Sequence, residues 1–224
     1  MTVIKTNLEN VLSTISENVK LIAVSKMKPA ELIREAYEAG QRAFGENKVQ
    51  ELREKQPVLP EDIEWHMIGH LQSNKVKYIA PYVYMIHAVD SFKLLKEINK
   101  RAKSNDRIIK VLLQIHIATE ESKFGFNAEE VKELLNSPEY KELENIQISG
   151  LMGMATNTSN MDLIRSEFKG LKDLFDQLQN EYLDKETFTE ISMGMSNDYL
   201  IAIEEGSTMV RIGTAIFGLR ACAL

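Results

Sequence analysis

Lys26 follows the apolar run Leu21-Ile22-Ala23-Val24, where a buried strand should end. An ammonium held at such a place is desolvated and loses its proton more readily. Its amine can then attack a carbonyl and form a Schiff base. Far downstream the chain reads Met209-Val210-Arg211-Ile212-Gly213-Thr214, and before it Ser192-Met193-Gly194-Met195-Ser196. Gly194 and Gly213 let backbone amides approach an anion closely, and Ser192, Ser196 and Thr214 offer hydroxyl protons. Arg211 can only donate hydrogen bonds, which suits a ring nitrogen. The set matches a phosphate-bearing aldehyde. Taken singly, each feature has a plainer reading: a strand-end lysine is a solvated surface cation, Gly-Thr a turn and cap, an arginine half of an ion pair. Only convergence on one place gives them joint meaning.

Such convergence needs a closed frame. Eight short apolar runs, at 21–25, 42–44, 64–68, 83–88, 108–116, 147–151, 187–191 and 209–212, alternate with amphipathic stretches. Strands alternating with helices imply parallel strands joined by crossovers. Eight units in this length predict one (β/α)8 TIM-like barrel domain over 1–224, preferred to an open doubly wound sheet. Closure makes the first and last strands neighbours, so Lys26, Arg211 and the glycine loops after strands seven and eight meet at the C-terminal rim, where barrel active sites lie. Pro29 is read as the first helical residue of a segment ended by Gly40, and Ser91 as an N-cap. Met161, Ile164, Phe168, Leu171, Phe175, Leu178 and Tyr182 mark one face of a long helix over 160–182. An extra helix over 8–17 precedes the first strand. Leu151-Met152-Gly153-Met154 echoes Ser192-Met193-Gly194-Met195 after strands six and seven.

Composition removes other classes. The 224 residues carry a net charge of −6 without a long basic run, which disfavours nucleic acid and anionic membranes as partners. Cys222 is the only cysteine, so no disulfide framework is expected, which suits a reducing cytosol. No apolar run approaches the ~20 residues that span a bilayer, and no leader segment is expected. His66 and His70 have metal-ligand spacing, but Gly69 between them at a strand end argues against a metal. Glu46 is read as a helix-start acid, Lys93, Lys96, Lys100, Arg101 and Lys103 as a solvated face, and Met152, Met154, Met193 and Met195 as barrel-top packing.

The blocks Leu21–Lys26, Phe44-Gly45-Glu46-Asn47-Lys48-Val49-Gln50-Glu51, Trp65-His66-Met67-Ile68-Gly69-His70-Leu71-Gln72-Ser73-Asn74-Lys75, Glu120-Glu121-Ser122-Lys123-Phe124-Gly125-Phe126 and Arg211-Ile212-Gly213-Thr214-Ala215-Ile216-Phe217-Gly218, with the two echoing segments, carry a resemblance over residues 21–218. By them the chain resembles the pyridoxal phosphate homeostasis proteins, the YggS/PROSC type. The resemblance implies a barrel like the N-terminal domain of alanine racemase, a fold type III arrangement. It implies pyridoxal 5′-phosphate held as a Schiff base by Lys26, with Ser192, Gly194, Gly213 and Thr214 at the phosphate. Arg211 would face the pyridine nitrogen, and Asn47 and His66 would line the ring pocket. One departure is His116, which closes the fifth apolar run where family members usually carry asparagine.

An arginine at the pyridine nitrogen keeps that nitrogen unprotonated and the ring a poor electron sink. A two-base racemase also needs a second proton donor, which alanine racemases take from a second domain. The expectation is therefore a cytoplasmic, monomeric carrier in vitamin B6 homeostasis that buffers the cofactor or delivers it to apo-enzymes without robust catalysis. A slow amino-acid racemase is the alternative, and a Schiff-base aldolase barrel is less favoured.

Overall fold

The computed structural model describes residues 2–118 and 124–218. Glu120 to Lys123 of the Glu-Glu-Ser-Lys block, and Cys222, lie outside the described residues. Eight strands form one closed sheet in sequence order: β1 (Lys20–Val24), β2 (Ala43–Glu46), β3 (Glu64–Met67), β4 (Met85–Val89), β5 (Ile109–Gln114), β6 (Ile146–Met152), β7 (Glu190–Met195) and β8 (Met209–Ile212). Every pairing is parallel, and β8 returns to β1 with Leu21 opposite Val210 and Ile22 opposite Arg211. The helices among the described residues are α1 (Val3–Leu12), α2 (Ala30–Glu38), α3 (Val49–Lys55), α4 (Phe92–Lys103), α5 (Ala128–Asn136), α6 (Pro138–Lys141), α7 (Met161–Glu181), α8 (Tyr199–Glu204) and α9 (Thr214–Phe217).

Both faces of each strand are covered, which is why the strands read as apolar runs rather than as an alternation. Leu21 and Ala23 point out to the helices and join the large core with Phe44, Trp65, Phe168 and Leu171. Ile22, on the opposite face, joins Ala43, Met85, Leu112, Met152 and Met209 inside the barrel. These side chains fill the lumen, so a ligand has room only at its ends.

The long helix ends where its pattern ends. Asn160 caps α7 by accepting from the Leu163 amide at 3.2 Å, and Tyr182 is the C-cap. Ser91 caps α4, and Gly40 follows α2 with φ +106°. Four expectations shift. Pro29 is the N-cap of α2 rather than its first residue. The first helix covers Val3–Leu12 because Thr2 caps it and Ser13 ends it. β7 runs on through Ser192-Met193-Gly194-Met195, and β6 through Leu151-Met152, so the echoing segments begin inside the strands. Gly194 in β7 marks a bulge, which sequence pattern reads as a loop.

Candidate functional site

Lys26 lies two residues beyond β1 and is half-buried, and the residues on either side of it are pinned. Ser25 is buried and its Oγ donates to Glu46 Oε1 at 2.6 Å. Lys55 Nζ donates to the Ser25 carbonyl at 3.0 Å, to Glu46 Oε1 at 2.7 Å and to Glu51 Oε2 at 2.8 Å. Glu51 Oε2 also accepts from the Met27 amide at 2.6 Å. Met27 has φ +59°, a left-handed conformation that costs a side-chain-bearing residue about 1–2 kcal/mol, and the Glu51 contact holds it there. Lys28 Nζ then reaches the carbonyls of Phe217 and Gly218, tying the loop to the end of α9. Glu46 is therefore a buried member of this clamp at the end of β2, not the helix-start acid expected from its place after Gly45. Burial pushes its carboxyl up to about 7, against the opposing pull of Lys55 and Ser25, and its Oε2 has no hydrogen-bond partner.

Across the mouth Arg211 is buried on β8, and burial lowers its pKa to about 10, so it stays cationic at neutral pH. NH1 donates to the Ser192 carbonyl at 2.7 Å and to Ser192 Oγ at 2.6 Å, and NH2 donates to the Gly153 carbonyl at 3.1 Å. The two echoing segments thus act together, Gly153 of one and Ser192 of the other holding the guanidinium. Of its five N–H groups, two remain for another acceptor.

Below Arg211 a polar chain runs down the lumen. Ser192 Oγ lies 2.9 Å from His87 Nδ1, and His87 Nε2 lies 2.8 Å from His66 Nδ1. Because Arg211 donates to the Ser192 hydroxyl, the hydroxyl sends its own proton to His87 Nδ1. His87 then donates from Nε2 to His66, whose remaining N–H stands 4.0 Å from Glu64 Oε2, beyond hydrogen-bond reach. The reverse order would leave the Ser192 proton unplaced and turn a lone pair of His66 towards a carboxylate. Burial keeps both histidines neutral: His66 is lowered, and His87 lies well below its usual value, where the nearby cations Arg211 and Lys20 add to the effect. Lys20 closes the lower end, 2.5 Å from Glu64 and 4.8 Å from the Tyr84 ring centroid.

The rim glycines are required by close approach. Between Ser192 and Met195 the β7–β8 register slips by one residue, and Gly194 sits in this bulge with φ +92°. A Cβ on Gly194 would stand 2.6 Å from the Ala202 Cβ. One on Gly213 would stand 2.9 Å from the Val24 carbonyl, at the seam where β8 meets β1. Thr214 is exposed at the start of α9.

Lys26, Gly194, Arg211, Gly213 and Thr214 are thus carried to one end of the barrel by β1, β7 and β8. Ser192 and His66 are fully buried beneath that end, and the Ser192 hydroxyl is already engaged by Arg211 and His87, so it is not positioned as a phosphate donor. Asn47 follows β2 half-buried, its carbonyl backed by Gly69, where a Cβ would come within 2.5 Å. His116 lies two residues beyond β5, and its amide donates to the Phe126 carbonyl. His70 is exposed and paired with Asp90 at 3.0 Å, so His66 and His70 share no site. Met152 and Met193 pack as expected, whereas Met154 and Met195 are exposed. The pairing of Glu46 with Lys55 was not read from sequence, because a buried acid flanked by Gly45 and Asn47 gave no periodic signal. His87 reads from sequence as a strand-end hydrogen-bonding residue rather than a ligand, and its partners Ser192 and His66 appear only in the closed barrel.

The family model for the alanine racemase N-terminal domain matches residues 1–221. The pyridoxal phosphate homeostasis protein of Aquifex aeolicus is 45% identical over 203 residues, covering 90% of this chain and 87% of the relative. The chain belongs to this family. The Schizosaccharomyces pombe member is 39% identical over 206 residues, covering 91% of this chain and 85% of its own length. Among solved structures, PipY of Synechococcus elongatus with PLP bound matches with a TM-score of 0.86 at 37% identity, covering 96% of this chain and all of that one. Alanine racemase of Clostridium difficile shares the fold, with a TM-score of 0.78 at 17% identity over 96% of this chain and 59% of that chain. None of the described helices is long and apolar enough to cross a membrane.

Proposed function

We propose that this chain is a single-domain, monomeric, cytoplasmic carrier of pyridoxal 5′-phosphate that buffers the cofactor and delivers it to apo-enzymes. The observation that carries the reading is the pairing of a lysine clamped on both flanks with a buried arginine that has two donors to spare. The donor set fits the group. Lys26 supplies an amine for its aldehyde, and Arg211 supplies N–H groups to a neutral ring acceptor. Gly194, Gly213 and Thr214 present backbone and hydroxyl donors for its phosphate, with Ser196 in place of the engaged Ser192. Asn47 borders the ring, and His66 acts from below through His87 and Ser192. When bound, the cofactor supplies an aldehyde that condenses with an amine and releases water.

A cation fixed as donor by two carbonyls and a hydroxyl cannot protonate the ring strongly, which favours holding over turnover. Absorbance tests this. Wild-type protein given pyridoxal phosphate gains a visible band that survives desalting, and Lys26→Ala, still folded by circular dichroism, does not. A band retained in Lys26→Ala overturns the assignment. Lys26-dependent appearance of D-alanine from L-alanine would replace the carrier by a racemase.

A further inference from the structure

Beside the barrel mouth, α3 and the connection after β3 enclose a cavity of about 320 Å3, within the size range of small-molecule sites. Lys48, Arg53 and Lys75 line it together with Gln50, Gln72 and Tyr78. In a chain of net charge −6, three cations at one cavity call for neutralising acids. Among the described residues no carboxylate pairs with any of the three. Of the acids of α3, Glu51 is engaged away from the cleft by Lys55 and the Met27 amide, and Glu54 accepts from Gln50 at the cleft edge rather than from any of the three cations. Two of them, Arg53 and Lys75, gather with Lys77 on one aromatic ring. Arg53 lies 4.4 Å from the Tyr78 centroid, Lys77 4.9 Å and Lys75 5.9 Å. Like charges held together with no ion-paired carboxylate among the described residues make a preorganised anion site.

We propose that this cleft binds a small phosphomonoester, separately from the Lys26 site. A dianion answers the gathered positive charge, the Arg53 guanidinium matches phosphate geometry, and Gln72 adds a neutral donor. Asn47 forms part of the wall, and α3 turns Glu51 and Lys55 to the Lys26 loop while Arg53 faces the cleft.

The test is a 15N NMR titration of the full chain with phenyl phosphate, with uncharged benzyl alcohol as control. The backbone amides of Gln50, Gln72 and Tyr78 report the cleft, and those of Gly194 and Gly213 report the barrel mouth. Phenyl phosphate shifts the cleft amides saturably, and benzyl alcohol does not. Arg53→Gln and Lys75→Gln, both at exposed positions, each weaken cleft binding by about fivefold to tenfold, more at low salt than at high. The mouth amides respond equally in wild type and variants. Unmoved cleft amides, unchanged cleft affinity in both variants, or an equal response to benzyl alcohol overturns the proposal. Repeating the titration on Lys26→Ala with pyridoxal 5′-phosphate and with inorganic phosphate identifies the source. Arg53-dependent shifts with the former assign the cleft to a second cofactor molecule, and shifts with phenyl phosphate and inorganic phosphate alone assign it to another phosphomonoester. Failure at the mouth with a responsive cleft would count against the carrier reading only.

Discussion

Replacing Glu46 by glutamine removes a buried charge and keeps the side chain's shape, so it isolates what that charge does beside Lys26. The carboxyl of Glu46 rises from its ordinary 4.5 to about 7 in the folded protein. The folded state therefore holds a proton that the unfolded state releases between those values. Its stabilising contribution is complete below pH 4.5 and is lost as pH rises through 7, the reverse of a carboxylate whose pKa is depressed by a salt bridge. At about 1.4 kcal/mol per unit the full swing is about 3 kcal/mol. Glutamine has no such titration. Its carbonyl takes over the Oε1 bonds from Ser25 and Lys55, and its amide replaces Oε2, which has no partner. Near pH 4.5 the two proteins should match within about 1 kcal/mol. By pH 8 Glu46→Gln should have gained about 3 kcal/mol relative to wild type. Urea unfolding at pH 4.5, 6, 7 and 8 measures this. Taking the difference between the two proteins cancels His66 and His87, whose depressed pKa values take stability away as pH falls below 6.5. A difference that stays flat across this range refutes the burial argument, and one that moves the other way makes the ion pair with Lys55 dominant.

Three other substitutions probe the frame and the lumen. A Cβ on Gly150 would stand 1.7 Å from the Glu190 carbonyl oxygen, where β6 meets β7. Gly150→Ala should leave no folded protein in the soluble fraction, whereas Gly170→Ala, with open space around it on α7, should raise stability by about 0.5–1 kcal/mol in urea. Ser192→Ala leaves Arg211 its two carbonyl acceptors but takes the donor from His87 Nδ1, at a cost of about 1–3 kcal/mol in urea unfolding. A loss near zero would show that the Ser192–His87 bond does not help hold the chain from Arg211 to His66.

Much of the site was legible because its residues have types that are costly or conformationally special where they stand. A lysine after four apolar residues, an arginine inside the last strand and glycines at strand ends all stand out against a barrel pattern. Ser192 misled because a serine beside glycine looks like a phosphate loop. The bulge at Gly194 carries β7 on past it, so its hydroxyl stays inside the lumen rather than at the rim. Glu46 misled for a related reason. Its partners Lys55 and Ser25 lie nine and 21 residues away, and no periodicity links them.

The sequence by itself determined the alternation of eight strands with helices, the long amphipathic α7 and the residues at the ends of β1 and β8. Apolar periodicity, caps and glycines are local, and a closed barrel follows from their count. Tertiary structure alone decided which polar groups meet inside that barrel. His87 and Ser192 lie 105 residues apart and touch because closure turns both into one lumen. Arg211 becomes a fixed donor because Gly153, just beyond β6, and Ser192 of β7 are brought beside it. Hydrogen bonds act over about 3 Å, and only closure of the sheet brings such distant residues within that range.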